Sequence, residues 1–262
     1  MPNMRGTRRL RKITQGAPGI LTFLALWETV PRLGFFDPRY LPPFSQVAKA
    51  FWKILLNGTL LVHIGVSLQR SLSGFGLALL LATPMGLLLG WYPRLERFVD
   101  PLLQLFRQTS VLALFPVFIL VFGIGEFSKV FLIFWAVQWP ILLNTVSGVK
   151  EVDPLLLKAA RSMNASTWQL LTKVVLPAAF PSIFLGIRLA ATYSILVLIA
   201  AEMIGAKSGL GFLLFDSEQL FQIPTMFASI MTMALLGLGL NYGLQEIGSR
   251  INSWKGAEIS ES

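Results

Sequence analysis

Long apolar runs alternate with short polar segments along this chain of 262 residues. A helix needs about 20 apolar residues, with about 17 to 25 as the working range, to cross the hydrocarbon core of a bilayer. Six runs qualify or nearly do so, and we predict a membrane-spanning helix at 17–34, 61–90, 98–122, 127–148, 178–205 and 225–248. The pattern therefore predicts an all-α polytopic membrane protein with six transmembrane helices.

Helix-breaking residues interrupt two of these runs. The second run contains Gly74, Gly76, Pro84 and Gly86, and the third contains Pro116. Such residues are tolerated in membrane helices where neighbouring groups satisfy the freed backbone, and small residues let helices approach closely. We expect a closely packed bundle.

A shorter amphipathic pattern follows the first run, at 45–55. Its apolar stripe and its basic face are formed by Val47, Phe51, Ile54 and Leu55 and by Lys49 and Lys53. Ser45 has the residue type preferred at a helix N-cap. The segment is too short to cross a bilayer, so we predict a helix lying at the membrane interface.

Composition agrees with this class, since 54% of the residues are hydrophobic and 13% are charged. The net charge of +9 could indicate nucleic acid, but the charges lie between the apolar runs, as topology signals do, and we expect no nucleic-acid partner. The chain has no cysteine and one histidine, His63. Neither a thiol nucleophile nor the usual metal site with several ligands is expected.

The distribution of Lys and Arg indicates the orientation. With the N-terminus in the cytoplasm, thirteen of these residues fall in inside segments and six in outside segments, while Arg70, Arg107 and Arg188 fall within spans. Cytoplasmic loops carry the excess of basic residues, so both termini are predicted to be cytoplasmic. We predict three parts: a cytoplasmic basic N-terminus at 1–16, a single transmembrane domain at 17–255 and a polar tail at 256–262.

The most informative polar stretch lies between the fourth and fifth runs, at about 150–177. Pro154 favours a helix start, and Asn164 favours a turn with positive φ. Ser166 then favours a second helix start, and Pro177 is expected to end that helix. The pattern predicts a helix-turn-helix hairpin on the cytoplasmic side.

Several motifs in the chain resemble a known family. Lys158-Ala159-Ala160, then Asn164, then Val174-Val175-Leu176-Pro177 resemble the "EAA" loop of bacterial ABC-importer permeases, with Lys158 in place of the acidic residue and Asn164 in place of the glycine. The nitrate/sulfonate/taurine permeases are the subfamily that the chain resembles most, through segments 123–126, 140–145, 186–188 and 201–205.

The resemblance implies the type I ABC importer transmembrane-domain fold and a place in the bacterial cytoplasmic (inner) membrane. It also implies three protein partners: cytoplasmic ATPase subunits, which bind ATP and Mg, a second permease copy in a homodimer, and an extracytoplasmic substrate-binding protein. This chain would supply no catalytic residue and bind no cofactor or metal. Lipid would surround it. The ATPase-coupling residues are expected to be Lys158, Ala159, Ala160, Met163, Asn164, Trp168, Leu176 and Pro177; an ordinary connector is the alternative interpretation of this loop.

Polar residues within the spans are candidates for a translocation path. They are Arg107, Gln108, Gln138, Arg188, Tyr193 and Glu202. A charge at that depth must pair, reach the interface or face water. An arginine could bind an oxyanion head group in bidentate geometry, but it could equally reach lipid phosphates, and polar residues also bond helices together. Both interpretations stay open for each residue.

The substrate implied by the resemblance is a small oxyanion such as an aliphatic sulfonate, taurine or nitrate. A vitamin precursor, such as a pyrimidine or riboflavin, is the alternative. A self-sufficient ion-coupled secondary transporter is a rival of another class, although the inverted repeats and intramembrane carboxylates that it would need are not evident. A membrane enzyme would need a nucleophile with a base, or a metal cluster.

Overall fold

The computed structural model describes residues 4–251, with side chains from 18 to 248. Within that range the chain is helical and has no β-strand. The helices are α1 (Met4–Arg32), α2 (Phe44–Leu56), α3 (Thr59–Trp91), α4 (Pro93–Gln108), α5 (Val111–Phe122), α6 (Glu126–Lys150), α7 (Pro154–Ser162), α8 (Thr167–Leu170), α9 (Leu176–Met203), α10 (Leu210–Gln219) and α11 (Ile223–Ile251). The polar tail predicted at 256–262 lies outside the described residues.

The all-α membrane class is confirmed. Within the described residues, four helical segments are long and apolar enough to cross a membrane, namely Thr59–Trp91, Glu126–Lys150, Thr167–Met203 and Ile223–Gly248. They overlap the second, fourth, fifth and sixth predicted spans. The bent pair of α4 and α5 makes a fifth span if it counts as one, and residues 17–32 of the first predicted span lie in α1.

The third predicted span is present as a bent pair of helices and not as one continuous helix. Helices α4 and α5 meet at 96° across a break at Thr109 and Ser110, whose ψ angles of 129° and 120° are those of extended backbone. Short hydroxyl side chains favour caps and turns over helix interiors. Pro116, the expected interruption, lies inside α5.

The expectation that Pro177 ends the second helix of the hairpin was wrong. Helix α8 continues through a π-helical turn, Leu171–Val175, into α9, so that Thr167–Met203 forms one span of 37 residues. The N–H of Leu176 donates to the carbonyl of Leu171, the i→i+5 pairing of a π turn. Pro177 lies in the first turn of α9, where a missing N–H is tolerated.

The chain divides into two compact units, of which the first comprises Met1–Leu61 and Leu213–Thr232. Trp27 on α1 anchors this unit: its indole N–H donates to the carbonyl of Pro42 at 3.1 Å, and its ring contacts Phe44 and Phe227. The predicted interfacial helix is present as α2. Ser45 is not its N-cap, because α2 begins one residue earlier and the Ser45 N–H donates to the Glu28 carboxylate at 2.8 Å.

The second unit comprises Val62–Phe212 and Met233–Ser262, and α6 forms much of its buried core. One face of α3 presents a small residue at every fourth position, namely Gly74, Ala78, Ala82, Gly86 and Gly90. A Cβ added at Gly86 would lie 2.6 Å from the Cβ of Thr145 on α6. A Cβ at Gly186 on α9 would lie 2.7 Å from the Pro140 carbonyl. Small residues therefore allow α3 and α9 to pack closely on α6.

Candidate functional site

The hairpin predicted from the polar stretch is present as α7 and α8, and both helices have side-chain caps. Asp153 accepts a hydrogen bond from the N–H of Leu155 at 2.8 Å, and Pro154 follows at the first helical position. Ser166 and Gln169 form a capping box at the start of α8. Its two hydrogen bonds measure 2.9 and 3.3 Å and satisfy N–H groups that have no partner within the helix.

Asn164 forms the turn of the hairpin, as predicted, with a φ of 56°. The Ala165 N–H donates to the Ala160 carbonyl at 3.2 Å, and the Asn164 N–H donates to the Arg161 carbonyl at 3.0 Å. These two bonds form a Schellman motif, which needs a left-handed residue where Asn164 lies. Asn adopts that conformation more readily than any residue except Gly, so it preserves the turn.

The eight residues expected to couple the chain to an ATPase fall into two groups. Five are exposed, namely Lys158, Ala159, Met163, Asn164 and Trp168. Met163 and Trp168 are 83% and 73% exposed, so both apolar side chains are accessible to a partner. Ala160, Leu176 and Pro177 are half-buried, and Leu176 packs against the buried cluster of Val149, Val152, Val175, Ala179 and Ile183.

A cavity of about 480 Å³ opens at the break between α4 and α5. Its walls come from this break and from α6 and α9, and they comprise Arg107, Gln108, Thr109, Ser110, Val111, Leu112, Ala136, Trp139, Pro140, Tyr193, Leu196 and Val197. The guanidinium of Arg107 donates to Gln104 Oε1 at 2.7 Å. Among these described lining residues there is an arginine and no carboxylate, so the site favours an anion.

The six path candidates do not all meet at this cavity. The structure brings together Arg107, Gln108 and Tyr193 in its wall. Gln138 is half-buried on α6 and is not in the wall. Arg188 donates from Nε to Asn241 Oδ1 on α11 at 3.2 Å. Glu202 lies in a separate buried cluster near the C-terminus of α9.

That cluster centres on Arg70, whose side chain is 3% exposed. Its Nη1 donates to Glu202 Oε1 at 2.7 Å and to the Ser208 carbonyl at 2.6 Å. Its Nη2 donates to Glu126 Oε1 at 2.7 Å, and its Nε donates to the other oxygen of Glu126. Ser67 Oγ lies 2.8 Å from each carboxylate oxygen of Glu202. The cluster joins α3, α6 and α9.

The segment between α9 and α10 is tied to the same cluster. Three consecutive N–H groups donate to side chains: Gly209 to His63 Nδ1 at 2.9 Å, Leu210 to Ser67 Oγ at 2.8 Å and Gly211 to Glu202 Oε2 at 2.9 Å. The Glu202 carboxylate therefore caps the start of α10, where negative charge is favoured. Among the described residues, no three His, Asp or Glu side chains are grouped in a way that could hold a metal.

Sequence analysis did not predict this cluster, although a signal was available. Glu126 and Glu202 fall beside or near the outer ends of their predicted spans, and Arg70 lies in the outer half of its own, so the predicted topology brings charges of opposite sign to the same side of the membrane. A charge inside a membrane needs a partner, and this requirement could have paired them.

Comparison with known proteins gives the family. The sequence model described as "Binding-protein-dependent transport system inner membrane component" matches residues 74–251. The taurine transport system permease protein TauC of Escherichia coli is 33% identical over 251 residues, which cover 94% of this chain and 91% of TauC. The putative aliphatic sulfonates transport permease protein SsuC of Bacillus subtilis is 34% identical over 232 residues, covering 88% of this chain and 84% of SsuC.

The bicarbonate transport system permease protein CmpB of Synechococcus elongatus is 32% identical over 234 residues, covering 85% of this chain and 84% of CmpB. A solved structure of the inward-facing MetNI methionine ABC transporter is similar with a TM-score of 0.66 at 18% identity, over 74% of this chain and 96% of that chain. This likeness confirms the fold of an ABC importer transmembrane domain. The chain belongs to the family of binding-protein-dependent transport system inner membrane components, and it is the multi-pass membrane permease component of an ABC importer.

Proposed function

We propose that this permease carries a small oxyanion across the inner membrane, with taurine and aliphatic sulfonates as the first candidates. The proposal depends on the cavity at the α4–α5 break. Among the lining residues that the structure describes are Arg107 and several hydroxyl groups, and no carboxylate. The similarity to taurine, aliphatic sulfonate and bicarbonate permeases supports the same class of substrate. An arginine matches the geometry of an oxyanion head group.

The hairpin of α7 and α8 is the proposed contact for a cytoplasmic ATPase that binds ATP and Mg. Exposed Met163 and Trp168 would supply apolar anchors, and the small side chains of Ala159 and Ala160 would let a groove of the partner approach the backbone. Lys158 stands where the "EAA" loop of related permeases has an acidic residue, so we assign no carboxylate function to this position.

The path from this contact to the cavity is a single helix. The span Thr167–Met203 starts in the hairpin and carries Tyr193, Leu196 and Val197 in the cavity wall. A partner that pushes on the hairpin would therefore displace the cavity wall directly. ATP binding and hydrolysis in the partner would bias a two-state helix bundle between inward-open and outward-open forms.

The remaining parts of the proposal concern assembly and orientation. Thirteen Lys and Arg residues fall on the side of the hairpin, against six on the other side, so we place the hairpin and both termini in the cytoplasm. Two copies of the chain would form the homodimeric pathway, and an extracytoplasmic binding protein would deliver the substrate.

The test is uptake by the reconstituted complex in proteoliposomes. Labelled taurine, an alkanesulfonate, nitrate, bicarbonate and a pyrimidine precursor would be compared with ATP, with a non-hydrolysable analogue and with an ion gradient alone. We expect uptake of a sulfonate that needs ATP and the binding protein. ATP-driven uptake of the pyrimidine precursor alone would overturn the substrate class, and gradient-driven uptake without ATP would identify a secondary transporter.

A further inference from the structure

Two tryptophans one turn apart on α6 carry buried indole N–H groups that find no acceptor among the described residues. They are Trp135 and Trp139, whose rings contact each other edge to face at 5.5 Å. Native proteins pair most buried donors, and an unpaired one calls for an explanation. The two differ in one respect, because only Trp139 is in the wall of the 480 Å³ cavity.

The rest of the cavity wall near the break also offers donors. Ser110 is the N-cap of α5, yet its hydroxyl makes no capping bond to that helix. The first N–H groups of α5 have no acceptor within the helix, and two of the residues that carry them, Val111 and Leu112, are in the wall. Arg107 adds a positive charge. An uncharged indole donor, a hydroxyl, a helix N-terminus and a guanidinium all complement an oxyanion.

We propose that the Nε1–H of Trp139 donates a hydrogen bond to an oxygen of the substrate head group, and that Trp139 thereby helps to select a small oxyanion. The inference rests on the proposed function and deepens it, since it assigns one donor of this chain to the substrate. Trp139 is only 9% exposed and its Nε1 is sealed from solvent in this form, so the bond forms when a movement of the cavity wall uncovers the N–H, which then competes little with bulk water. The donor is uncharged and its ring packs edge to face on Trp135, so it adds geometric selection to the charge of Arg107.

Replacing Trp139 by Phe keeps an aromatic ring at this position but removes the indole N–H together with part of the ring volume. Trp135→Phe is the matched control, because it removes the other N–H without an acceptor from the same helix, one turn away and outside the cavity wall. Both variants would be reconstituted with the ATPase and binding protein, and ATP-dependent taurine uptake would be measured at a saturating concentration of loaded binding protein.

We expect Trp139→Phe to lower uptake about tenfold or more, the usual effect of losing a hydrogen bond to a charged group, and Trp135→Phe to leave it within about twofold. Equal uptake by the Trp139→Phe and Trp135→Phe variants would overturn the inference. It would mean that the Trp139 N–H bonds to water, or that both tryptophans serve only to pack the helices. If the wild-type complex transports no oxyanion with ATP, the proposed function itself fails, and this inference fails with it.

A second measurement does not depend on turnover. The indole ¹⁵N–H resonance of Trp139, assigned by its loss in Trp139→Phe, should shift when taurine is added to the solubilised complex, while that of Trp135 should not. A shift in neither resonance at millimolar taurine would contradict the contact even if the variant transported poorly. A matching shift on adding an uncharged alcohol of the same length would contradict selection of an anion.

Discussion

Arg70 and Glu202 lie 132 residues apart in the chain, yet Nη1 of Arg70 donates to Oε1 of Glu202 at 2.7 Å, with side chains 3% and 0% exposed. A lone charge inside a membrane protein is costly, so each of these groups stabilises the other by neutralising it. The pair joins α3 to α9, and Glu126 adds α6 through its bidentate contact with Arg70.

Removing the charge of Glu202 is predicted to destabilise the permease strongly. Glu202→Gln keeps the shape of the side chain but removes the negative charge of the fully buried one of the two carboxylates that contact Arg70. Loss of one partner of a buried pair typically costs about 3–5 kcal/mol. Thermal unfolding of the purified complex in detergent would measure the loss.

Glu126→Gln removes the other carboxylate partner of Arg70 and is predicted to lower stability less than Glu202→Gln does. The side chain of Glu126 is 66% exposed, so water can replace much of what it contributes, and we expect a loss of about 1 kcal/mol or less. The exposed Glu218→Gln serves as a neutral control. Equal melting temperatures for the Glu202 and Glu218 variants would contradict a structural role for the buried pair.

The two positive-φ glycines between α9 and α10 give a second prediction. Gly205 and Gly209 have φ angles of +71° and +118°, so an alanine is strained at either position. A Cβ at Gly209 would also overlap the Glu202 carboxylate, whereas at Gly205 the nearest atom is Ile124 Cγ2 at 3.4 Å. We expect Gly209→Ala to lower the melting temperature more than Gly205→Ala. The same decrease in melting temperature for both variants would mean that backbone strain alone destabilises them and that the Glu202 side chain can move away from the added Cβ.

Much of the fold could be predicted from the sequence because the membrane imposes a simple rule on helix length and polarity. The second, fourth, fifth and sixth predicted spans correspond to helices of the structure. The positions at which helices bend or end were harder to predict. Pro116 and Pro177 lie within helices, while the bend falls at Thr109 and Ser110. Proline is tolerated in membrane helices where neighbouring groups satisfy the freed backbone, so its position alone does not locate a bend.

The sequence also predicts the local features of the sites better than the contacts between helices. The turn at Asn164 follows from a local backbone preference, so the sequence predicts it correctly. The partners of Arg70 and Glu202 depend on which spans are neighbours, and hydropathy does not specify that. Arg107 on α4 and Tyr193 on α9 both line the cavity, and the sequence could nominate both residues without showing that they share a wall.

Asn164 gives a third prediction, on the hairpin. Asn164→Gly should keep the Schellman turn, because Gly adopts a φ of 56° without strain. Asn164→Ala should destabilise the hairpin by about 1 kcal/mol, since Ala lacks the short polar side chain whose local hydrogen bonding lets Asn adopt the left-handed conformation. Limited proteolysis between α7 and α8 would detect the difference. Faster cleavage of the Gly variant than of the Ala variant would contradict this account of the turn.

Ala160 tests whether the hairpin transmits force from an ATPase. Ala160→Leu adds bulk on the proposed contact surface, so we expect the ratio of taurine uptake to ATP hydrolysis to fall at least fivefold while membrane insertion is unchanged. Ser162→Leu is the control: it lies two residues further along α7, about 200° around the helix axis, on the opposite face. Because Ala160 is half-buried, Ala159→Leu, at an exposed position, separates blocked docking from a distorted hairpin. Normal coupling in both Ala160→Leu and Ala159→Leu would place the contact with the ATPase elsewhere on the chain.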